Sequence, residues 1–278
     1  MVKDFALINT LEALKSLVDW AARQDTWMGN SQPPLYINIE GEQLSQHGKI
    51  SLMTVLVYPS EFLMRPNIVD IHLLGPAAFS TAGKLGKSLK DILESPQILK
   101  VFFDVRNDSD ALYAHYGIQL QGVRDIQLME SARRLHTLEQ RYLSGLSKYI
   151  AKTLFDKKEI DQWKLCKATG EALWNPRKGG SYIVFNARPL SDDIIKYYVG
   201  DVQYLPRLYF KYRCSTDRWS NLITEASQMR VCASQTADYQ PDGPGRALSP
   251  WDAEQNQLLD EWDAPPPQTD YFSYDSDR

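Results

Sequence analysis

The sequence predicts a single α/β domain that is built around a mixed sheet and ends in a helical C-terminal half. Three observations carry this prediction: apolar strand patterns come first and in hairpin order, strands then alternate with helices, and helical periodicity dominates the second half. The 278 residues, 43% of them hydrophobic and 24% charged, suffice for one sizeable core with extensions. No internal repeat is visible in the sequence.

The N-terminal half supplies most of the predicted sheet. Leucines at helical spacing behind Asn9 or Thr10 predict a helix over 10–24, and we expect residues 1–30 to pack as an extension on the domain of residues 31–235. The segment GEQLSQHGK predicts a hairpin connection between the first two strands. Apolar runs bounded by turn residues predict four strands, over residues 35–40, 50–58, 67–74 and 98–105.

Helices are predicted around and after the fourth strand. A helix over 86–95 precedes this strand, and Asn107 or Asp108 is expected to cap the next helix, which ends at Gly117. The segment VRDIQLM predicts a short strand or an extended segment that leads into the later helices. Residues 130–212 are mostly helical in pattern. A predicted loop over residues 174–191 interrupts them, and a last helix is predicted over residues 216–229.

Charge is unevenly distributed along the chain. The net charge is −4, yet residues 236–278 hold ten acidic and two basic residues, which leaves +4 on residues 1–235. A mildly basic body is only weakly typical of a nucleic-acid-binding protein. The tail is rich in Pro, Gly, Asp and Gln, which predicts a disordered extension. Its aromatic residues also make it a candidate docking segment for a protein partner.

The scarcity of cysteine and histidine limits which side chains could bind a metal ion. Three scattered cysteines and four histidines exclude a disulfide framework and a histidine-rich zinc site. Any metal is therefore expected on carboxylates, which favour Mg²⁺ or Mn²⁺. No apolar run approaches the ~18 residues of a membrane helix, and no secretory signal is visible. We accordingly expect no membrane partner and a cytoplasmic or nuclear location.

The first candidate site lies in the first predicted strand. Asn38 and Glu40 are two residues apart, so their side chains share one face, while Ile37 and Ile39 point into the core. Two polar side chains on one face of an apolar strand can form a metal-ligand pair. A strand with one solvated face is the commoner explanation when the pattern is taken alone.

Two further candidates lie later in the chain. Asp108, with Asp104 and Asp110 close by, follows a strand at the sheet edge where α/β sites form, although aspartate there is also a typical helix N-cap. Tyr197 and Asp201 share one helical face, so the carboxylate could hold a metal and the phenol could orient a water. The polar stripe of an amphipathic helix explains this last spacing equally well.

Together these segments resemble the ribonuclease D-like branch of the DEDD 3′–5′ exonucleases. That branch has Asp-x-Glu in the first strand, an Asp after a later strand, and Tyr-x-x-x-Asp on a late helix. The matching residues are Asn38-x-Glu40, Asp108 and Tyr197-x-x-x-Asp201, in the family's order. The match spans roughly residues 30–215. The sequence of the matching segments is most similar to fungal proteins with a stand-alone 3′–5′ exonuclease domain. No histidine follows His136, so the tyrosine branch (DEDDy) is the one that fits.

The resemblance implies a fold, a reaction and a set of roles. The fold is a ribonuclease H-like mixed sheet flanked by helices. The reaction is two-metal hydrolysis of phosphodiesters at the 3′ end of RNA or single-stranded DNA, with Mg²⁺ or Mn²⁺ as the two ions. Glu40, Asp108 and Asp201 match metal ligands, together with Asn38. Tyr197 matches the residue that positions the water, and Glu40 also matches an assisting base.

The resemblance gives two further segments a role. Asp125, in the second block of the match, corresponds to a support residue more often than to a ligand. Arg177, Lys178 and Arg188 border a loop, with Gly179 and Gly180 between them, that could meet the phosphate backbone. A solvated turn is the commoner role of such a Lys-Gly-Gly loop.

The chain departs from the family pattern at one position, where Asn38 stands in place of Asp. The amide oxygen can still ligate, but one negative charge is missing from a site that holds two divalent ions. Three interpretations remain open. The change is a deliberate one that blocks turnover, or the protein is a pseudo-nuclease that binds nucleic acid or serves as a scaffold, or it is a weak enzyme that prefers Mn²⁺. A domain with coincidental motifs, and hence no bound divalent ion, is the plainest alternative.

Overall fold

The structure is a computed structural model with a six-stranded mixed sheet at its centre. It describes residues 5–23, 35–58, 65–134, 141–154, 156–213 and 217–251. The strands are β1 (Ala6–Ile8), β2 (Leu35–Glu40), β3 (Leu52–Val57), β4 (Asn67–Asp70), β5 (Lys100–Phe102) and β6 (Val123–Asp125). Their order in the sheet is β1-β4-β3-β2-β5-β6.

Eleven α-helices are present in the described part of the chain. The short and early ones are α1 (Leu11–Ala22), α2 (Ile71–Leu74), α3 (Ala77–Ser80), α4 (Leu89–Glu94), α5 (Arg106–Tyr116) and α6 (Ile126–Ala132). The helical C-terminal half comprises α7 (Leu146–Thr153), α8 (Lys157–Trp174), α9 (Asp192–Val202), α10 (Leu205–Tyr212) and α11 (Asp217–Ser234). Across the described residues, none of these helices combines the length and the apolar character that a bilayer crossing requires.

The sheet topology explains its mixed character. Strands β2, β3 and β4 form an antiparallel meander, to which β5 and then β6 add in parallel beside β2. Helices cover both faces, and separate apolar clusters fill the two interfaces. The predicted α/β class, with a mixed sheet flanked by helices and a helical second half, is confirmed.

The alternation along β2 decides which side chains face the site. Ile37 and Ile39 are buried in the cluster beneath α1, α4 and α5, whereas Tyr36 belongs to the cluster on the opposite face. Asn38 and Glu40 lie on the same face as Tyr36 because side chains alternate along a strand. The predicted orientation of β2 is therefore confirmed.

Several predicted boundaries were wrong. The third strand was expected to reach residue 74, but it ends at Asp70, whose Oδ1 accepts the Leu73 amide at 3.0 Å and starts α2. The fourth strand spans only Lys100–Phe102. Strand β1 was missed because three residues show no period, and it pairs in parallel with β4. Strand β1 thus joins the sheet ahead of the N-terminal helix α1, which packs on the domain, and the predicted domain bounds stay a prediction.

The predicted cap of α5 was also wrong. Val105 precedes the helix, and no side chain of the described residues caps it. The carboxylate of Asp125 instead accepts the amides of Asp104 and Val105 at 2.9 and 3.2 Å and so holds the turn that leads into α5. The predicted end at Gly117 is confirmed, with a φ of 60° that favours glycine.

The prediction of disorder from residue 236 was wrong for residues 236–251, which we call the C-terminal strap. The Tyr239 hydroxyl donates to Asn107 Oδ1 at 2.7 Å, and Arg246 pairs with Asp104 at 2.8 Å. The Trp251 indole is buried and donates to Ser131 Oγ at 3.1 Å. Few aliphatic residues suggested disorder, but these polar anchors and one tryptophan hold the strap. The other predicted docking aromatics, Trp262, Tyr271, Phe272 and Tyr274, lie outside the described residues.

Candidate active site

Helix α9 brings the late candidate residues to the early ones. It packs against β2 and β3, so Tyr197 and Asp201 approach the polar face of β2. On that face the Asn38 amide Nδ2 donates to Glu40 Oε1 at 3.3 Å. Burial raises the pKa of Glu40 to about 7; the Lys167 ammonium opposes the rise, and the Asp201 carboxylate adds to it. The structure thus brings the first and third sequence candidates together.

Asp108 joins them from the first turn of α5, at the carboxyl end of β5. Only 7% of its surface is exposed. Burial raises the pKa of Asp108 well above its usual range, and the charge of nearby Glu40 raises it further. Because β5 lies directly beside β2, the turn after β5 delivers this carboxylate to the same sheet edge as Glu40. The second sequence candidate therefore belongs to the same cluster.

The two oxygens of Asp201 have different surroundings. Oδ2 accepts a charged hydrogen bond from Lys167 Nζ at 2.6 Å. Oδ1 is buried and has no hydrogen-bond partner among the described residues. Burial raises the pKa of Asp201, and the Lys167 ammonium opposes that rise. A buried carboxylate oxygen without a donor is a feature that a bound cation would satisfy.

Tyr197 lies beneath the same lysine. Lys167 Nζ is 3.3 Å from the centroid of the Tyr197 ring, and the Trp174 ring packs edge-on at 6.1 Å between centroids. Burial raises the pKa of Tyr197, and the neighbouring carboxylates raise it further. The phenol therefore stays protonated at neutral pH and can act as a hydrogen-bond donor.

Close packing of α8 on α9 fixes the position of Lys167. The Trp163 indole donates to the Gly200 carbonyl at 3.0 Å, and a Cβ on Gly170 would lie 2.6 Å from Tyr197 Cβ. Sequence reasoning missed Lys167. The available signal was the spacing of Trp163, Lys167, Gly170 and Trp174, which places all four on one face of a helix.

The cluster opens onto a cleft of about 820 Å³. Glu40 lies in its wall, and Trp174, Tyr182 and Phe185 form an aromatic side of the cleft with ring centroids 5.7 to 6.2 Å apart. Residues 240–244 of the C-terminal strap close the other side. The aromatic side and the strap were not among the predicted site residues, because both depend on chain segments that meet only in the fold.

The three residues predicted to contact phosphate have different surroundings in the structure. Arg177 is exposed and lines the cleft. Lys178 pairs with Glu171 at 2.9 Å on the surface. Arg188 binds both carboxylate oxygens of Asp70 at 2.5 Å, so its charge already serves an internal ion pair. Of the three, Arg177 is the one placed to meet a ligand in the cleft.

The donor set fits a hard divalent cation. Three carboxylates and one amide are the oxygen donors that Mg²⁺ and Mn²⁺ prefer, and Asp201 Oδ1 is a buried acceptor in need of a partner. In the described residues, however, no three His, Cys, Asp or Glu side chains stand together as a ready metal site. The donor chemistry fits a divalent ion, whereas the arrangement of these side chains is not that of a preformed metal site.

The chain has an α/β fold of the ribonuclease H-like class, with buried acidic residues beside its cleft. A family model described as 3′–5′ exonuclease matches residues 68–213. The chain belongs to this 3′–5′ exonuclease family.

Known proteins agree with this assignment. The structure of Trypanosoma brucei RNase D in complex with RNA U12 is similar at a TM-score of 0.68 and 19% identity, over 93% of this chain and 80% of that chain. The structure of Escherichia coli RNase D is similar at a TM-score of 0.52 and 18% identity, over 84% of this chain and 51% of that chain. The mouse piRNA biogenesis protein EXD1 is 36% identical over 99 residues, which are 36% of this chain and 15% of that protein.

The family match confirms the resemblance to the 3′–5′ exonucleases, and the RNase D structures, at 19% and 18% identity, share the fold of this chain. The chain spans only a small part of the mouse relative. The likeness to fungal proteins stays a prediction.

Proposed function

We propose that the protein binds the 3′ end of RNA or single-stranded DNA in its cleft and hydrolyses the terminal phosphodiester with divalent metal. The observation that carries this proposal is that Glu40, in the wall of the cleft, lies within electrostatic range of Asp108, Asp201 and Tyr197. Membership of the exonuclease family supports the same reaction class.

Each residue has a role in this proposal. Glu40, Asp108 and Asp201 would hold the metal, with the Asn38 amide oxygen in the position of a fourth ligand. Bound divalent ions supply an activated water and stabilise the leaving oxygen. The protonated Tyr197 phenol orients the water by donating a hydrogen bond. Glu40 would also assist as a base by accepting a proton from the water.

The cleft walls suit a single strand. Bases can stack on the side formed by Trp174, Tyr182 and Phe185, and Arg177 can pair with a backbone phosphate. The trypanosomal RNase D was solved with RNA, and the name of the mouse relative refers to piRNA, so RNA is the first substrate to test. A stacked single strand is also compatible with DNA, which belongs in the same assay.

The amide at position 38 is expected to make this activity slow. With one carboxylate fewer, metal affinity and stabilisation of the transition state both fall. The test is trimming of 5′-labelled RNA and DNA in Mg²⁺ and in Mn²⁺. We expect slow 3′ shortening by the natural chain and an acceleration of about tenfold or more in Asn38→Asp, which is about 1.4 kcal/mol of activation free energy.

A matched control separates metal catalysis from contamination. Adding Asp201→Asn to the Asn38→Asp protein removes a proposed ligand and should abolish the gain. If folded Asn38→Asp trims neither RNA nor DNA in either metal, the proposed nuclease function is wrong.

A second candidate function is an exonuclease fold that binds nucleic acid or a protein without cutting. It is favoured by two contacts that satisfy carboxylates in the absence of metal, from Asn38 to Glu40 and from Lys167 to Asp201. It predicts RNA binding by the natural chain and no trimming by either form. A partner held by the acidic tail, proposed from its composition, would be lost on deletion of residues 252–278.

A further inference from the structure

The active-site cluster already contains a cation of its own. Lys167 Nζ lies 2.6 Å from Asp201 Oδ2 and 3.3 Å from the centre of the Tyr197 ring, and its charge reaches Glu40. The lysine side chain is 20% exposed and the Asp201 side chain 9%. An ammonium in this position contacts the residues to which the proposed function assigns metal and water.

The placement of this lysine is built into the helix pair. Trp163 and Gly170 lie on either side of Lys167 along α8, and both hold the helix against α9. A methyl group at Gly170 would clash with Tyr197, so the approach of the two helices depends on that glycine. The lysine stem therefore lies within a tight interface, and its ammonium is directed toward Asp201.

A charge count shows what the ammonium changes. Once a bound cation keeps them ionised, the carboxylates of Glu40, Asp108 and Asp201 carry −3, and Asn38 contributes nothing. Lys167 reduces this to −2, which a single divalent ion neutralises. A second divalent ion would leave an excess of +2 in a buried cluster, and uncompensated charge in such surroundings is costly.

We propose that Lys167 takes the place of one of the two metal ions, so that the site binds a single divalent cation beside the ammonium. This inference rests on the proposed function for the location of the metal site. Asp201 divides its oxygens accordingly: Oδ2 pairs with Lys167, and Oδ1, which has no partner among the described residues, is free for the ion. Lys167 acts as a charge-compensating and positioning residue.

Mn²⁺ titration of the metal-free full chain tests the inference without any substrate. Binding is followed by calorimetry and by the loss of the free-ion signal in electron paramagnetic resonance. We expect the natural chain to bind one Mn²⁺. In Lys167→Met the affinity should rise about tenfold or more, because repulsion from the ammonium is removed. The double variant Asn38→Asp/Lys167→Met should bind two ions.

Three further proteins keep the result interpretable. Lys164→Met removes a lysine one turn earlier on the exposed face of α8 and should leave Mn²⁺ binding unchanged. Lys167→Arg retains the charge and should retain a single ion. Lys167→Gln is a second uncharged variant that can still donate to Asp201, for the case in which the methionine variant is unfolded.

Three outcomes overturn the inference. They are two Mn²⁺ ions in the natural chain, uncharged variants at position 167 that bind Mn²⁺ like Lys164→Met, and absence of Mn²⁺ binding in every variant. The outcome of the trimming assay is independent of the number of Mn²⁺ ions bound. One bound ion without trimming by Asn38→Asp would overturn the nuclease function and support the role of Lys167, whereas trimming with two ions in the natural chain would do the reverse.

Discussion

Asn38 donates its amide to Glu40 across 3.3 Å on one face of β2, so the strand satisfies its own carboxylate without a cation. An aspartate in the same position would set two carboxylates against each other at that distance. The family pattern therefore needs metal to balance this pair, whereas the present pair is balanced without metal.

Replacing Asn38 with Asp should make stability depend on metal. Like-charge repulsion is expected to cost about 1–2 kcal/mol in the metal-free protein, which lowers the melting temperature by roughly 2–8 °C. Mn²⁺ should restore it. Thermal unfolding with chelator and with Mn²⁺ measures both effects. Asn38→Ala, which loses the hydrogen bond but adds no charge, should gain less from Mn²⁺; equal recovery in both variants would contradict the prediction.

Glu40 should make the metal-free protein less stable as pH rises. Burial raises its pKa from the ordinary 4.5 to about 7 in the folded state. A carboxyl group shifted upward contributes stability that is fully present below its unfolded pKa and is lost as pH rises through the folded one. Urea unfolding with chelator between pH about 4.5 and about 7.5 should show this loss, and Glu40→Gln should flatten it. An identical pH profile for Glu40→Gln would count against the shift.

Breaking the ion pair between Arg230 and Asp125 should be strongly destabilising. The two groups meet at 2.6 Å with 7% and 0% side-chain exposure, and the same carboxylate holds the turn into α5. Arg230→Met leaves a buried charge unpaired, and we expect a loss of about 3–5 kcal/mol in the free energy of unfolding.

The matched control for that pair is the exposed ion pair of Arg207 with Glu159 at 3.1 Å. Because the arginine is about half exposed, Arg207→Met should cost less than about 1 kcal/mol. Chemical denaturation of both variants provides the comparison, and similar losses for the two would contradict a structural role of Asp125.

Arg177 and Arg188 should differ in what their loss affects. Arg177→Ala removes a cation that lines the cleft, so affinity for a single-stranded oligonucleotide should fall and the slope of log K against log salt should decrease by about 0.7. Arg188→Ala instead frees the buried Asp70 carboxylate and should lower the melting temperature. Fluorescence anisotropy at several salt concentrations checks the first effect, and an unchanged slope in Arg177→Ala would exclude a phosphate contact.

Trp251 should anchor the C-terminal strap. Its side chain is only 6% exposed and packs in the apolar cluster that also contains Tyr36. Trp251→Ala should therefore cost about 3 kcal/mol or more in the free energy of unfolding. Leu248→Ala, at a position of the same strap that is 45% exposed, should cost less than about 0.5 kcal/mol. Equal effects would mean that the strap is not held by the tryptophan.

Sequence patterns predicted the parts of the site that obey a local period. Alternation along β2 placed Asn38 and Glu40 on one face, and the four-residue spacing of Tyr197 and Asp201 placed them on one helix face. Gly117 marked a helix end because a left-handed residue is needed there. Boundaries failed where a side chain acts across segments, as when Asp125 rather than Asn107 or Asp108 held the turn before α5.

By itself, the sequence determined the α/β class, the exonuclease family pattern and the missing carboxylate at position 38, because each is a property of residue type and spacing along the chain. Only the tertiary structure decided that Lys167 pairs with Asp201 and that the C-terminal strap lines the cleft. The physical reason is that both contacts join segments far apart in sequence, so no local period records them. The net charge of the acidic cluster includes the Lys167 ammonium, which the packing of α8 against α9 brings to Asp201.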